Sequence, residues 1–144
     1  ALASELGLED AVHFLPPVPA GAVPALMAAA DLGVVPKRAD GFGNEAYSTK
    51  IMEFMAVGVP VVVADTAVDR HYFTSELVRF FPAGEVSALA DAMQDLLANP
   101  HAARAQAERA LRYAEENCWQ IERAGYLAIV DALCASEAGP EVAA

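Results

Sequence analysis

Two short runs in this chain are apolar at every position, Leu32-Gly33-Val34-Val35 and Val61-Val62-Val63-Ala64, and a third, Val78-Arg79-Phe80-Phe81, is nearly so. A strand with one face in water alternates apolar and polar residues, whereas an unbroken apolar run needs cover on both faces. Helical patterns precede and follow the first of these runs. Strand and helix alternating in this way predict a three-layer, Rossmann-like α/β fold, a parallel sheet flanked by helices, with further helices at the C-terminal end.

Punctuation residues set the expected elements. Ala1 to Leu8 reads as a helix end capped by Gly7, so the segment is expected to continue a longer chain. Val12-His13-Phe14-Leu15 reads as a strand stopped by Pro16-Pro17. Ala20 to Ala30 is expected to be helical, with Val23, Leu26 and Met27 on one face. Asp31 to Pro36 is the next strand, and Lys37 to Glu45 a polar loop. A helix runs from near Ser48 to Val57 and stops at Gly58, and Pro60 opens the strand Val61–Ala64. Asp65 to Leu77 reads as irregular. After the strand at Val78–Phe81 come helices over Val86–Leu97 and His101–Glu116, broken at Asn99-Pro100. Asn117 is expected to cap a last helix, with Gln120 three residues on. Residues 1–136 are expected to form one domain and 137–144 a flexible tail.

The bulk properties exclude several classes. The net charge of −11 is opposite to what a nucleic-acid groove needs. The apolar fraction of 56% is enough for a sizeable core and argues against disorder. Cys118 and Cys134, joined by one helix, would lie about 24 Å apart, too far for a disulfide. Two reduced cysteines suit a cytoplasmic protein. The three histidines are scattered and form no metal-ligand pattern.

Chemistry concentrates between Glu45 and Glu53, two carboxylates flanking the expected helix start. Helix N-termini bind anions, and carboxylates accept hydrogen bonds from hydroxyls. One turn could therefore hold a phosphate and a sugar, with Glu53 leaning toward Gly43 and Asn44. Ser48, Thr49 and Lys50 offer first-turn amides. Lys37 and Arg38 follow a strand at the same edge of the sheet, placed either to approach a diphosphate or to stay solvated. The same residues also fit an ordinary crossover helix, with a solvated Glu53, a dipole-stabilising Glu45 and Ser48 as N-cap.

From Val12 to Tyr126 the chain resembles the C-terminal, donor-binding domain of the retaining family 4 (group 1) glycosyltransferases, half of a GT-B fold. The resemblance rests on Val12-His13-Phe14-Leu15, on Val23-Pro24-Ala25-Leu26-Met27 with Ala30-Asp31-Leu32, on Glu45 and Glu53 as a Glu-x7-Glu motif, and on Glu53 through Val63. It implies transfer of a glycosyl group from a nucleotide-sugar donor to an acceptor hydroxyl with retention, in polysaccharide or glycoconjugate synthesis. Glu45 would be the catalytic-site carboxylate on the donor sugar, and Glu53 would accept from ribose hydroxyls. The amides near Ser48, Thr49 and Lys50 would face the distal phosphate, Phe14 and Leu15 the base, and Lys37, Gly43, Asn44 and Tyr47 would also be donor-binding. No metal or cofactor is implied. An N-terminal acceptor domain is, and through it a peripheral place at the inner membrane. The segment alone is expected to be inactive, and the Trp119–Leu133 stripe to self-associate. A nucleotide-sugar epimerase of the same architecture and a non-catalytic binding module are the competing readings.

Overall fold

A computed structural model describes residues 2–137, with side chains as far as Ala135. A helical turn, α1 (Leu2–Glu5), ends in a Schellman motif in which the amides of Leu8 and Gly7 donate to the carbonyls of Ala3 and Ser4, with Gly7 at φ 65°. A 3-10 turn at Ala20–Ala22 leads into α2 (Val23–Ala28). Then follow β1 (Gly33–Val35), α3 (Gly41–Glu45), α4 (Thr49–Ala56), β2 (Val61–Asp65), α5 (Ala67–Tyr72) and β3 (Arg79–Pro82). Three longer helices close the chain: α6 (Val86–Ala98), α7 (Pro100–Glu116) and α8 (Trp119–Glu137).

The sheet is parallel, in the order β1-β2-β3, with Val35 opposite Val63 and Val63 opposite Phe80. Strand β2 is central, and its residues Val61 to Ala64 are fully buried. The pleat sends them alternately to two cores. Val61 and Val63 join Val35, Ile51, Met55, Phe73, Val78, Ala110 and Ala114 beneath α4 and α7. Val62 and Ala64 join Phe81, Ala92 and Leu96 beneath α6. The unbroken apolar run is thereby explained, and so is the three-layer arrangement. Alanines at 107, 110 and 114 bring α7 close to the sheet, where the buried Gln106 amide donates to the carbonyls of Val61 and Leu77, both at 3.2 Å.

Helix α4 ends as its sequence predicts. Gly58 takes φ 71°, and Val59 and Gly58 donate back to the carbonyls of Phe54 and Met55. On the helix, Ile51 and Met55 are fully buried while Glu53 faces solvent.

Four expectations are corrected. Val12–Leu15 is not a strand. It is non-regular chain, with Phe14 82% and Leu15 69% exposed. No described strand lies beside it, and Pro16, Pro17 and Pro19 lack amide donors for a ladder. The Lys37–Glu45 segment is not all loop. It contains α3, whose N-cap Asp40 accepts from the Gly43 amide. The Asp65–Leu77 stretch contains α5, N-capped by Thr66. Asn117 closes α7 by donating from Nδ2 to the Tyr113 carbonyl, 2.8 Å, while the Cys118 carbonyl accepts from the Ile121 and Glu122 amides of α8. The residues of the expected tail from 138 onward lie outside the described ones. Cys118 and Cys134 are free, and none of the described helices is long and apolar enough to cross a membrane.

Candidate functional site

The candidate site lies where the three strands present their carboxyl ends, the usual place for ligands in an open α/β sheet. Strand β1 delivers Pro36 and Lys37 to this edge, and β2 delivers Asp65 and Thr66. Between β1 and β2 the chain makes α3, a short turn and α4. Lys37, Phe42, Ala46, Tyr47, Ser48, Thr49 and Lys50 line a hollow of about 340 Å³ at the N-terminus of α4, with Val34 to Pro36 as its floor. Ser48 is the N-cap in extended conformation, but its side chain makes no capping hydrogen bond. The Ile51 amide donates to the Ser48 carbonyl at 3.2 Å, and the amides of Thr49 and Lys50 are left for solvent or an anion.

Of the residues singled out from sequence, Lys37, Tyr47, Ser48, Thr49 and Lys50 come together in this hollow. Glu53 borders a different one, of about 520 Å³ between α2 and α4, whose other walls are Ala20, Val23, Pro24, Met27, Ala56 and Val57. Glu45 ends α3, is exposed, and lines neither hollow. The eight-residue interval is not one helix. It is split between α3, a turn and α4, so helical periodicity does not bring the two carboxylates to one face. Gly43 is buried under the turn, and a Cβ there would lie 1.8 Å from the Arg38 carbonyl oxygen. Asn44 is half-buried, and its Oδ1 accepts from the Ala67 amide at 3.1 Å. Phe14 and Leu15 stand apart from both hollows.

The ammonium of Lys37 points inward. It pairs with Asp69 Oδ2 at 2.8 Å and donates to the Ala46 carbonyl at 2.8 Å. Asp69 is fully buried, and its Oδ2 also accepts from Thr66 Oγ1 at 2.7 Å. Losing either partner of such a pair strands a buried charge, at a cost of about 3–5 kcal/mol. The Tyr47 ring packs edge-on against Tyr72, centroids 4.9 Å apart, and near Phe73 at 5.9 Å. Burial, and then the neighbouring Tyr113, Tyr72 and Asp69, push its phenol up to about 12. Asp69 and Thr66 were missed by the sequence reading. Thr66-Ala67-Val68-Asp69 has the spacing of a capping box, which was the available signal.

Residues 1–115 match the family described as "Glycosyl transferases group 1". The chain belongs to the group 1 glycosyltransferases. Among curated group 1 relatives, a D-inositol 3-phosphate glycosyltransferase of Nocardia farcinica is 37% identical over 131 residues, 88% of this chain and 27% of that protein. A GDP-mannose-dependent alpha-(1-6)-phosphatidylinositol monomannoside mannosyltransferase of Mycolicibacterium smegmatis is 33% identical over 132 residues, 86% of this chain and 33% of its own. The chain thus spans about a quarter to a third of these relatives. Among solved structures, sucrose-phosphate synthase of Thermosynechococcus elongatus superposes with TM-score 0.85 at 24% identity, covering 94% of this chain and 33% of that one. Anabaena Alr3699/HepE in complex with UDP gives TM-score 0.76 at 25% identity, covering 90% and 35%. The fold matches part of that of GT-B glycosyltransferases.

Proposed function

We propose that this chain is the donor-binding segment of a retaining glycosyltransferase, which passes a glycosyl group from a nucleoside-diphosphate sugar to an acceptor hydroxyl. The observation that carries the reading is the N-terminus of α4, which opens without a side-chain cap onto a hollow at the carboxyl ends of a parallel sheet. Amides so aimed favour an anion and stabilise charge developing on a leaving diphosphate. Ser48, Thr49 and Lys50 are the phosphate-facing residues. Gly43, Asn44 and Tyr47 shape the turn, and Lys37 contributes through the turn it holds.

Glu53 has the role of accepting from ribose hydroxyls, beside a mostly apolar hollow that suits a flat base. Phe14 and Leu15 lie outside this hollow and are given no part in holding the base. Glu45, exposed at the end of α3, acts on hydroxyls of the donor sugar. Family membership and the UDP held by the similar HepE support a nucleotide sugar as substrate. A relative named as GDP-mannose-dependent makes GDP the first nucleotide to try. Glycoconjugate or polysaccharide synthesis is the setting, with an acceptor domain as the partner and the cytoplasmic side of the inner membrane as the location.

Calorimetric titration of the chain with GDP, UDP and ADP tests the reading. One nucleotide should bind, and Glu53→Ala should weaken it by about tenfold or more, equivalent to about 1.4 kcal/mol. In an enzyme that includes the acceptor domain, Glu45→Ala should lose most transfer while Glu53→Ala mainly raises the donor KM. If no nucleotide binds, or if Glu53→Ala binds as tightly as wild type, the assignment is wrong.

A further inference from the structure

We propose that Asp69 is a positioning residue for the donor turn: acting through the Lys37 ammonium, it fixes the peptide that follows Glu45. The inference rests on the reading of that turn as the donor site. Three observations carry it. First, the pair is directional. Lys37 Nζ sits between Asp69 Oδ2 and the Ala46 carbonyl, 2.8 Å from each. Ala46 has left the helical region, at φ −79° and ψ 113°, so its carbonyl points away from the α3 ladder and takes the ammonium as donor. Ala46 lies directly between Glu45 and the Tyr47-Ser48 entry to α4.

Second, the arrangement is one that core stability alone does not call for. Asp69 is fully buried and its Oδ1 has no hydrogen-bond partner. An apolar pair of similar volume would fill the same space without burying charge, but it could not donate to the Ala46 carbonyl. Third, two more ties to the same turn come from the same neighbourhood of α5. The Ala67 amide donates to Asn44 Oδ1, and Tyr72 and Phe73 pack on the Tyr47 ring. The segment after β2 thus holds the turn on both sides of Glu45. Lys37 then acts on the donor through geometry and not as a phosphate ligand.

The two roles for Lys37 give opposite signs for Asp69→Asn. If Lys37 met phosphate directly, removing its buried counter-charge would free the ammonium and tighten GDP binding. If Asp69 positions the turn, GDP binding weakens. The experiment is hydrogen exchange together with GDP titration on the chain carrying D69N and, separately, K37M/D69N. In both variants the hydrogen-bonded amides of Asn44 to Ala46 should exchange at least about tenfold faster, while those of Val61 to Ala64 keep wild-type protection. The GDP Kd should rise by about tenfold. A merely structural role would lower protection in both segments together. Should D69N not fold, the neutral double variant, which leaves no lone buried charge, gives the same two readouts. Unchanged exchange at 44–46, a uniform loss that includes β2, or tighter GDP binding in D69N would each overturn the proposal. If the wild-type chain binds none of GDP, UDP and ADP, the donor-site reading falls, while the exchange result still decides whether Asp69 holds the turn.

Discussion

Gly43→Ala sets intrinsic propensity against packing. Gly43 lies inside α3, where alanine is favoured over glycine by about 1 kcal/mol. The structure predicts the reverse. A Cβ at this position would stand 1.8 Å from the Arg38 carbonyl oxygen, 2.9 Å from its carbon and 3.1 Å from Asp40 Oδ1. The obstacle is backbone, so one of the two segments must move by about 1 Å or more to reach a tolerable contact. Overpacking of this kind costs about 1–3 kcal/mol. The shift also endangers the 2.8 Å bond from the Gly43 amide to Asp40, a cap worth about 1 kcal/mol. Set against the propensity gain, the net loss is about 2 kcal/mol, or about 4–8 °C in Tm for a chain of this size. Urea unfolding followed by circular dichroism reads it, with Gly41→Ala as the matched control. Gly41 belongs to the same helix, and a Cβ there meets nothing within 4 Å, so that variant should stay within about 0.5 kcal/mol of wild type. Equal midpoints for the two variants at equal m-value would refute the steric argument.

Ile51 is fully buried where α4 meets the sheet, so Ile51→Ala should cost about 3 kcal/mol, measured in the same urea titration; a loss below about 1 kcal/mol would mean that the site collapses around the cavity. The Arg70 guanidinium, bonded twice to Asp65 at 2.7 Å, holds that carboxyl below the usual range. A lowered folded value means that the stabilisation is present above the ordinary Asp pKa and is lost as pH falls through the folded one. Arg70→Ala should therefore cost under about 1 kcal/mol at pH 7, since both partners are exposed, and the gap to wild type should close below about pH 4; a gap that persists at low pH would point to the stacking of Arg70 over Phe80. For Tyr47, with its phenol at about 12, the folded state favours the neutral form, so stability holds below about pH 10 and drains as pH rises through the folded value; in Tyr47→Phe this loss should be absent from alkaline unfolding curves.

The sheet and α4 were legible because their signals are local. An unbroken apolar run reports burial on both faces, and Gly58 followed by Pro60 reports a helix end and a strand start. α3 was not legible, since Gly41-Phe42-Gly43-Asn44-Glu45 has two poor helix formers and no periodic face. Its helix depends on Asp40 as cap and on the contacts of the turn that follows. Val12–Leu15 failed in the opposite sense, because an apolar run specifies a strand only when a neighbouring strand pairs with it. Asn117 has a cap-forming side chain, but that side chain can serve the helix behind it as well as the one ahead, and here it serves α7.

The candidate site shows the same division more sharply. Spacing alone suggests that Glu45 and Glu53 act as a pair, yet each is set in its own frame. Glu53 is oriented by the face of α4 that buries Ile51 and Met55. Glu45 is oriented by a turn whose restraints come from residues 67 to 73, some twenty to thirty positions away in sequence. A reading along the chain recovers the first frame and has no access to the second, because a buried Lys–Asp pair leaves no periodic trace. The Thr66-x-x-Asp69 pattern marks a helix start, but nothing in it says that its carboxylate also holds Lys37. The charge that looked free to meet a phosphate is, in the fold, part of what holds the turn in place. Composition and spacing therefore identify which residues gather at the sheet edge, while the partition between ligand contact and support follows only from where each polar atom finds its partner.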